Sequence, residues 1–598
     1  MKTSASSRRL AILFSLWFIC TPPSRAGQGT QAAVVSAHPL ATEAGAGVLA
    51  AGGNAFDAAV AVSAALAVVE PYASGLGGGG FWLLHRARDG KQVFLDGRET
   101  APLGASRDMY VKSIPGASIK GALSAAIPGL PAGLAHLAAH YGRWPLKRSL
   151  APAIRLARDG FAVTPRYREM AKLRLDALRA SPAAAAVFLS GREPPSVGYR
   201  IVQPDLASLL VHLGERGSAA FYTGEFAVRL VQGVRAEGGI WSRADLAGYR
   251  AIEREPIRAD YHGVRIVTAP LPSSGGIVLA EVLNILEGYQ LDRLDAPTRK
   301  HVIVEALRRA YQDRVEHLGD ADFVAVPLER LLSKGYARAR RRGIDLGKAT
   351  PSHGLATKPA SGSGNTTHFS IIDCEDNRVA ATHSINDWFG SSYMVPETGV
   401  LLNDEMDDFS VSPGVSNMYG LVGGKANEIA PRKRPLSSMT PTFIEDRDRL
   451  AIVGTPGGSR IISMVLLAVL DFAAGRPIAT WVGRPRFHHQ YLPDRIEYEP
   501  FALTPNEQAG LRRRGHALTR LTRRYGNMQA IFVDDARHTV QAASDPRGEG
   551  TARVLPCLCA LSDPRRPDAP SRSTASYHEL AGVDPDDRRT SAKYATPQ

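Results

Sequence analysis

The chain has 598 residues, of which 44% are apolar and 22% charged, with a formal net charge of +14. That length supports a large core and about two to four domains at ~150 residues each, and the composition is ordinary for a globular protein. The positive charge is spread, with short runs at Arg340–Arg342 and Arg512–Arg514 and no basic helix interleaved with aromatics, so the surface reads as solvated and nucleic acid is not an expected partner.

The first 26 residues read as an export signal. Lys2, Arg8 and Arg9 form a positive start, "LAILFSLWFIC" an apolar middle, and "SRA" a small-residue cleavage site before Gly27. The apolar run is too short for a comfortable membrane span, and Ile19 before Cys20 is a poor lipoprotein site. Removing Lys2, Arg8, Arg9 and Arg25 leaves a net charge of +10. Cys374, Cys557 and Cys559 then remain, an odd number from which no disulfide framework is expected. Cys557 and Cys559 are too close for a CxxC metal or redox motif.

"HPLATEAGAGVLAAGGNAFDAAVAVSAALAVVEPYASG" predicts small, apolar helix broken at Gly52-Gly53. "FWLLHRARDGKQVFLDGRE" predicts two strands turning at Asp89-Gly90. "GLGGGG" at Gly75–Gly80 formally fits G-x-G-x-x-G. Here, however, a helix precedes and a strand follows, the reverse of a dinucleotide site. It reads as a turn that lets backbones approach closely. Residues 120–250 are Ala-, Leu- and Arg-rich and predicted helical. "VRIVTAP" predicts a strand, and "PSSGGIVLAEVLNILEGY" a loop feeding a helix. Helix continues to about Arg342, and residues 346–365 read as an exposed linker. Beyond Thr366 the chain turns strand-rich, and beyond about Ser562 it has the composition of a disordered tail.

The junction at Thr366 carries the chemistry. "TTHFSIID" and "VAATHSIN" flank the polar turn "CEDN". An antiparallel hairpin centred on Glu375 sets Ile371 against Val379 and Phe369 against Ala381, an apolar face. The same register places Thr366 across from Ser384, on the other face with His368 and Thr382. Cleavage before Thr366 would give one residue an α-amine and a β-hydroxyl together. Such an amine has a reference pKa of about 7.7–8.0, so it can take the hydroxyl proton and activate the oxygen as a nucleophile.

Several motifs in order, "GGNAFDAAVA", "GLGGGGF", "DGRETAP", "PSSGGI", "TTHFS", "NDEMDDFS", "KRPLSSMTPT", "GTPGGSRI" and "PRFHHQ", resemble the γ-glutamyltransferases (glutathione hydrolases) of the N-terminal nucleophile hydrolase superfamily. The likeness runs from about Val34 to about Arg547. It implies an α/β/β/α sandwich, two stacked sheets between helices. It also implies a signal peptide 1–26, a large subunit 27–365 and a small subunit 366–562, with residues 563–598 as a tail.

The resemblance assigns self-cleavage between Asn365 and Thr366, with Thr366 as nucleophile and Ser384 as the hydroxyl that bonds its new amine. Arg98 with Ser437 and Ser438 would bind a substrate α-carboxylate. Asp408 and Glu405 would hold the α-amino group, and Asn386 is a further binding residue. Gly457 and Gly458 would form the oxyanion hole, and Tyr419 would cap a lid loop. Expected substrates are glutathione and other γ-glutamyl compounds, with amino acids or dipeptides as acceptors and the two subunits forming a heterodimer. No cofactor or metal is expected, since the adjacent His488 and His489 should point apart. Ser384 and His383 depart from residues common at these positions. Rival readings are a glutaryl or cephalosporin acylase of the same architecture and a processed, non-catalytic periplasmic binding protein.

Overall fold

The computed structural model describes residues 31–111, 113–353, 366–411 and 416–557. The expected signal segment 1–26, Asn365 with most of its linker, Cys20, Cys559 and the tail beyond 562 lie outside them. Two antiparallel sheets form the middle of the fold. The first runs, in spatial order, Thr551–Pro556, Gln31–Ser36, Thr367–Ile372, Arg378–Ser384, Gly79–Arg86, Lys91–Gly97 and Ile252–Arg254. The second runs Thr539–Ser544, Gln529–Asp534, Arg449–Gly454, Thr442–Glu445, Val264–Thr268 and Ile257–Tyr261.

Strand periodicity sorts the core. Along the first sheet Val34, Trp82, Leu84, Leu95, Phe369, Ile371, Val379 and Ala381 face an outer helical layer. Their alternates Ala33, Val35, Phe81, Leu83, Phe94, Ile372 and Ala380 join Ile266, Phe443, Ile452 and Ile531 of the second sheet. The outer layer is built on the helices Pro39–Ala50 and Ala55–Val69, separated at the expected Gly52-Gly53 break. Every residue of Ala55–Val69 is buried, and its many alanines let it pack closely. A capping box starts it: Asn54 Oδ1 accepts from the amides of Phe56 and Asp57 at 3.0 and 2.9 Å, and the Asn54 amide donates to Asp57 Oδ2 at 3.0 Å. The helices Gly275–Leu286 and Ile461–Ala473 cover the far face of the second sheet. Helix, sheet, sheet, helix is the layering expected from the resemblance.

The hairpin register is the expected one: Ile371 pairs with Val379 and Phe369 with Ala381. The glycine run is no nucleotide loop. Gly79 and Gly80 already belong to the strand Gly79–Arg86. A Cβ on Gly78 would lie 2.2 Å from Ser384 O, and one on Gly77 2.0 Å from Leu401 O. These glycines let their backbone press against the end of the hairpin at Ser384 and against the strand Val400–Leu401.

The cysteine reading needs correction. Cys374 and Cys557 form a disulfide across a separation of 183 residues. Cys374 sits in the turn of the hairpin, and Cys557 directly follows the edge strand Thr551–Pro556. An odd cysteine count does not prevent two of three from pairing when the sheet order brings them together. Both lie after Thr366, so cleavage there leaves the bridge inside one fragment. Processed protein is therefore expected to give the same two bands on gels run with and without reductant. Replacing both cysteines by serine is expected to lower stability by about 2–4 kcal/mol in chemical unfolding.

Candidate active site

Thr366 lies immediately before the strand Thr367–Ile372. The recorded pairing extends to Thr367 with His383, and one further step sets Thr366 across from Ser384. Both line one pocket, together with Arg98, Asn386, Asp408, Tyr419, Ser437, Ser438 and Gly458. Thr366 is 8% exposed and Ser384 4%. On the same face, His368 Nδ1 bonds Thr382 Oγ1 at 2.8 Å and its Nε2 bonds Ser370 Oγ at 3.2 Å. Burial drives the His368 pKa down to about 3, so it is a neutral structural ring. His383 faces the other way, packed between Trp82 and Phe369 with ring centroids 4.8 and 5.4 Å apart. Its departure from the common residue therefore touches packing, not Thr366.

Ser384 Oγ accepts from the Asn386 amide at 2.9 Å. Asn386 holds a positive φ of 73°, a region that asparagine tolerates better than most residues. Its side chain donates to Asp404 O at 3.0 Å and accepts from Tyr419 OH at 2.6 Å. Tyr419 thus lies over the pocket, close enough that a Cβ on Gly458 would come within 2.7 Å of its ring. The segment around it is latched: the Met418 amide donates to Asp407 at 3.0 Å, and Asn417 Nδ2 donates to Asp408 Oδ1 at 3.4 Å. Residues 412–415 of the expected lid lie outside the described residues.

Gly457 and Gly458 have φ of 148° and 57°, conformations that favour glycine. They join the strand Arg449–Gly454 to the 3₁₀ turn and helix that follow. Their amides form no hydrogen bond with another described residue. Free N–H groups at the start of a helix suit a developing oxyanion.

The ionic groups meet directly. Arg98 is buried, and its guanidinium contacts Glu405 Oε2 at 2.7 Å, Asp408 Oδ2 at 2.5 Å and Glu99 Oε2 at 3.4 Å. Its Nε donates to Pro435 O at 3.2 Å. Burial works against this cation, but Glu405, Asp408 and Glu99 outweigh it and raise its pKa. Burial pushes the Glu405 and Glu99 carboxyls up despite Arg98. The residues expected to hold opposite ends of an amino-acid headgroup thus pair with one another here. The free space among the pocket residues is about 20 Å³, close to what one water needs, so a ligand must displace these contacts.

Ser437 is tied into the loop Pro272–Ser274 by its amide to Pro272 O at 2.9 Å and by Ser274 Oγ to its carbonyl at 2.7 Å. Arg314 Nε donates to that Ser274 Oγ at 3.0 Å and lines the pocket. Burial lowers its pKa. Arg314, Glu99 and Glu70 were not foreseen from the sequence. Glu70 accepts from Thr367 Oγ1 at 2.7 Å and from Tyr72 OH at 3.1 Å. His488 and His489 point apart: His488 bonds Ser463 and Gln490, while His489 bonds Asp494.

The profile of the family described as Gamma-glutamyltranspeptidase matches residues 41–555. The chain belongs to this family. It is 45% identical over 486 residues to a glutathione hydrolase proenzyme of Pseudomonas sp. (strain A14), covering 79% of this chain and 84% of the relative. It is 40% identical over 536 residues to the glutathione hydrolase proenzyme of Escherichia coli (strain K12), covering 88% and 91%. Among solved structures, cephalosporin acylase from Bacillus halodurans superposes with a TM-score of 0.77 at 27% identity, covering 91% of this chain and 99% of that one. The fold is that of the N-terminal nucleophile hydrolases.

Glu70 gives this region a pH signature. Burial pushes its carboxyl from 4.5 up to about 7, against the hydrogen bonds from Thr367 and Tyr72. A raised folded pKa means its contribution to stability is present below about 4.5 and is lost as pH rises through about 7. Glu70→Gln, which stays neutral, is therefore expected to gain on the wild type between pH 4 and pH 8 by up to roughly 3 kcal/mol in chemical unfolding. A gap that does not change with pH would contradict this.

Proposed function

We infer that this chain is a self-processed γ-glutamyltransferase and glutathione hydrolase. Family membership supports the activity, and the single carrying observation in the structure is the pocket that joins Thr366 and Ser384 to an amino-acid-sized set of charges. In the precursor, Thr366 Oγ attacks the Asn365 carbonyl carbon. The peptide C–N bond is exchanged for an ester, and water hydrolyses it. The products are a chain ending at Asn365 and a new Thr366 α-amine beside Ser384 Oγ.

In the mature enzyme Thr366 Oγ–H gives its proton to that amine, and Oγ attacks the γ-carbonyl of the donor. The Gly457 and Gly458 amides stabilise the oxyanion, an effect worth about 10²–10³ in rate per donor. The ammonium returns the proton to the leaving nitrogen, leaving a γ-glutamyl ester on Thr366. Water, or the amine of an amino acid or dipeptide, then releases the glutamyl group.

The headgroup binds by exchange. Its α-carboxylate takes the Arg98 guanidinium, with the Ser437 and Ser438 hydroxyls, while its α-ammonium takes Asp408 and Glu405. The zwitterion takes over the Arg98 contacts with Asp408 and Glu405, so the cation and these two acids each keep a partner. Asn386 lines the same pocket, and Tyr419 closes it. The sequence of residues 1–26 and the Cys374–Cys557 bridge together support export to an oxidising compartment, the periplasm or the medium. Among the described residues no helix is long and apolar enough to cross a membrane.

The acylase reading draws on the similarity to cephalosporin acylase. A glutaryl group lacks the ammonium, however, and would leave Asp408 and Glu405 without a partner. Wild-type protein is expected to run as two bands on a denaturing gel, and Thr366→Ala as one. Hydrolysis of γ-glutamyl-p-nitroanilide is expected to exceed that of glutaryl-p-nitroanilide. Asp408→Asn should lower kcat/KM for the glutamyl compound by roughly 10–100-fold, the worth of a charge-assisted hydrogen bond. A single intact polypeptide that still turns over glutamyl amides would overturn the mechanism.

A further inference from the structure

Glu70 is buried at the C-terminal end of the helix Ala55–Val69, where the helix dipole disfavours a negative charge. Both of its hydrogen bonds come from neutral hydroxyls, Thr367 Oγ1 at 2.7 Å and Tyr72 OH at 3.1 Å. Among the described residues it forms no ion pair. An acid so placed gains from a cation set beside it.

The groups around it do not supply one. Tyr72 follows the same helix, and Thr367 opens the strand that Thr366 precedes. Arg166 faces Glu70 from the helix Pro165–Leu173, and Glu549 from the loop before the edge strand Thr551–Pro556. Arg166 lowers the Glu70 pKa while Glu549 raises it. These two are themselves joined, the Arg166 amide donating to Glu549 at 3.0 Å. The Arg166 guanidinium also lies over the Trp388 ring, 4.7 Å from its centroid. Burial outweighs every favourable contact and holds the Glu70 carboxyl at about 7 in the uncut chain.

The proposed cleavage creates the missing cation. Before it, the Thr366 nitrogen belongs to a peptide bond; afterwards it is an α-ammonium. Thr366 and Thr367 are consecutive, so covalent geometry keeps that nitrogen within about 7 Å of the Thr367 hydroxyl. The Glu70 carboxylate stands one hydrogen bond beyond, and Glu70 and Thr366 border the same cavity. Thr366 is itself buried, which works to lower the basicity of its amine, whereas a neighbouring carboxylate works to raise it. We propose that Glu70 is the counter-charge of the new amino terminus: a positioning acid, held by Thr367, whose negative charge keeps the Thr366 α-amine basic enough to accept the hydroxyl proton near neutral pH. The effect is reciprocal, since the ammonium favours the ionised form of Glu70. Cleavage is thus the event that charges this acid.

This rests on the self-processing proposed above, and the test separates the two. The kcat/KM of processed enzyme for γ-glutamyl-p-nitroanilide is followed against pH, where the acid limb reports the ionisation of the base in the free enzyme. In Glu70→Gln that limb is expected to move about one unit toward acid, the effect of removing one charge some 10 Å away at a protein site. Thr367→Val removes the hydroxyl but leaves the charge, and its limb should stay near the wild-type position. A residue that merely braced the strand would change the rate at every pH and leave the limb in place, so an unmoved limb in Glu70→Gln would overturn the counter-charge. Because the role begins only after the cut, Glu70→Gln is also expected to self-process; a folded variant that stays a single chain would overturn the proposal too. If Glu70→Gln does not fold, Glu70→Met with Thr367→Val removes charge and hydroxyl together and is read by the same two criteria. A wild type that stays uncut would overturn the function itself, and the counter-charge with it.

Discussion

The pairing of two strands, Thr367–Ile372 with Arg378–Ser384, constrains everything else in the site. These strands lie in the interior of the first sheet, flanked by Gln31–Ser36 on one side and Gly79–Arg86 on the other. A slip of one residue would turn every side chain to the opposite face. Phe369 and Ile371 would then leave the helical core, and Thr366 would leave its pocket. The apolar face thus holds the proposed nucleophile in place, since the burial that stabilises the hairpin also fixes where Thr366 sits. The close approach at Gly78 presses a further backbone against the same end, so Ser384 has little freedom to drift.

Onto this rigid end the fold adds a buried ionic cluster. One guanidinium, Arg98, stands among Glu99, Glu405 and Asp408. Ion pairs removed from water recover their desolvation cost only when the geometry is close and the remaining donors are used. Arg98 meets that condition through Pro435 O and the acids themselves. An unliganded site whose cation already pairs with its acids resists stray ions. The proposed ligand, an amino-acid headgroup, brings both signs of charge to such a cluster. On the proposed function, selectivity is thus a matter of paired charges rather than of shape alone.

Much of this was legible in the sequence because it rests on local periodicity. The alternation of "TTHFSIID" and "VAATHSIN" carried the register, and the reversed order around Gly75–Gly80 excluded a nucleotide loop. What escaped depends on topology. Cys374 and Cys557 meet because the last strand returns to the edge of the first sheet, and no count of cysteines reveals that return. Glu70 closes an apolar helix of alanines and valines, and a lone acid at such a point was a signal that could have been read. Arg314 lies inside the long helix Ala296–His317, where its polar neighbours hide it. The direct contact of Arg98 with Glu405 and Asp408 was likewise not foreseen, since each residue was assigned to a different part of a ligand rather than to the others.

Strands from both sides of Thr366 share each sheet. Gln31–Ser36 lies between Thr551–Pro556 and Thr367–Ile372, and Val264–Thr268 borders Thr442–Glu445. Such interleaving can be woven only while the polypeptide is continuous, because two loose pieces would have to find each other and sacrifice their independent motion. The proposed cut before Thr366 is therefore a one-way ratchet. A mature molecule that melts loses the covalent memory of its own assembly, and its lifetime is governed by how slowly it opens rather than by how readily it could form again.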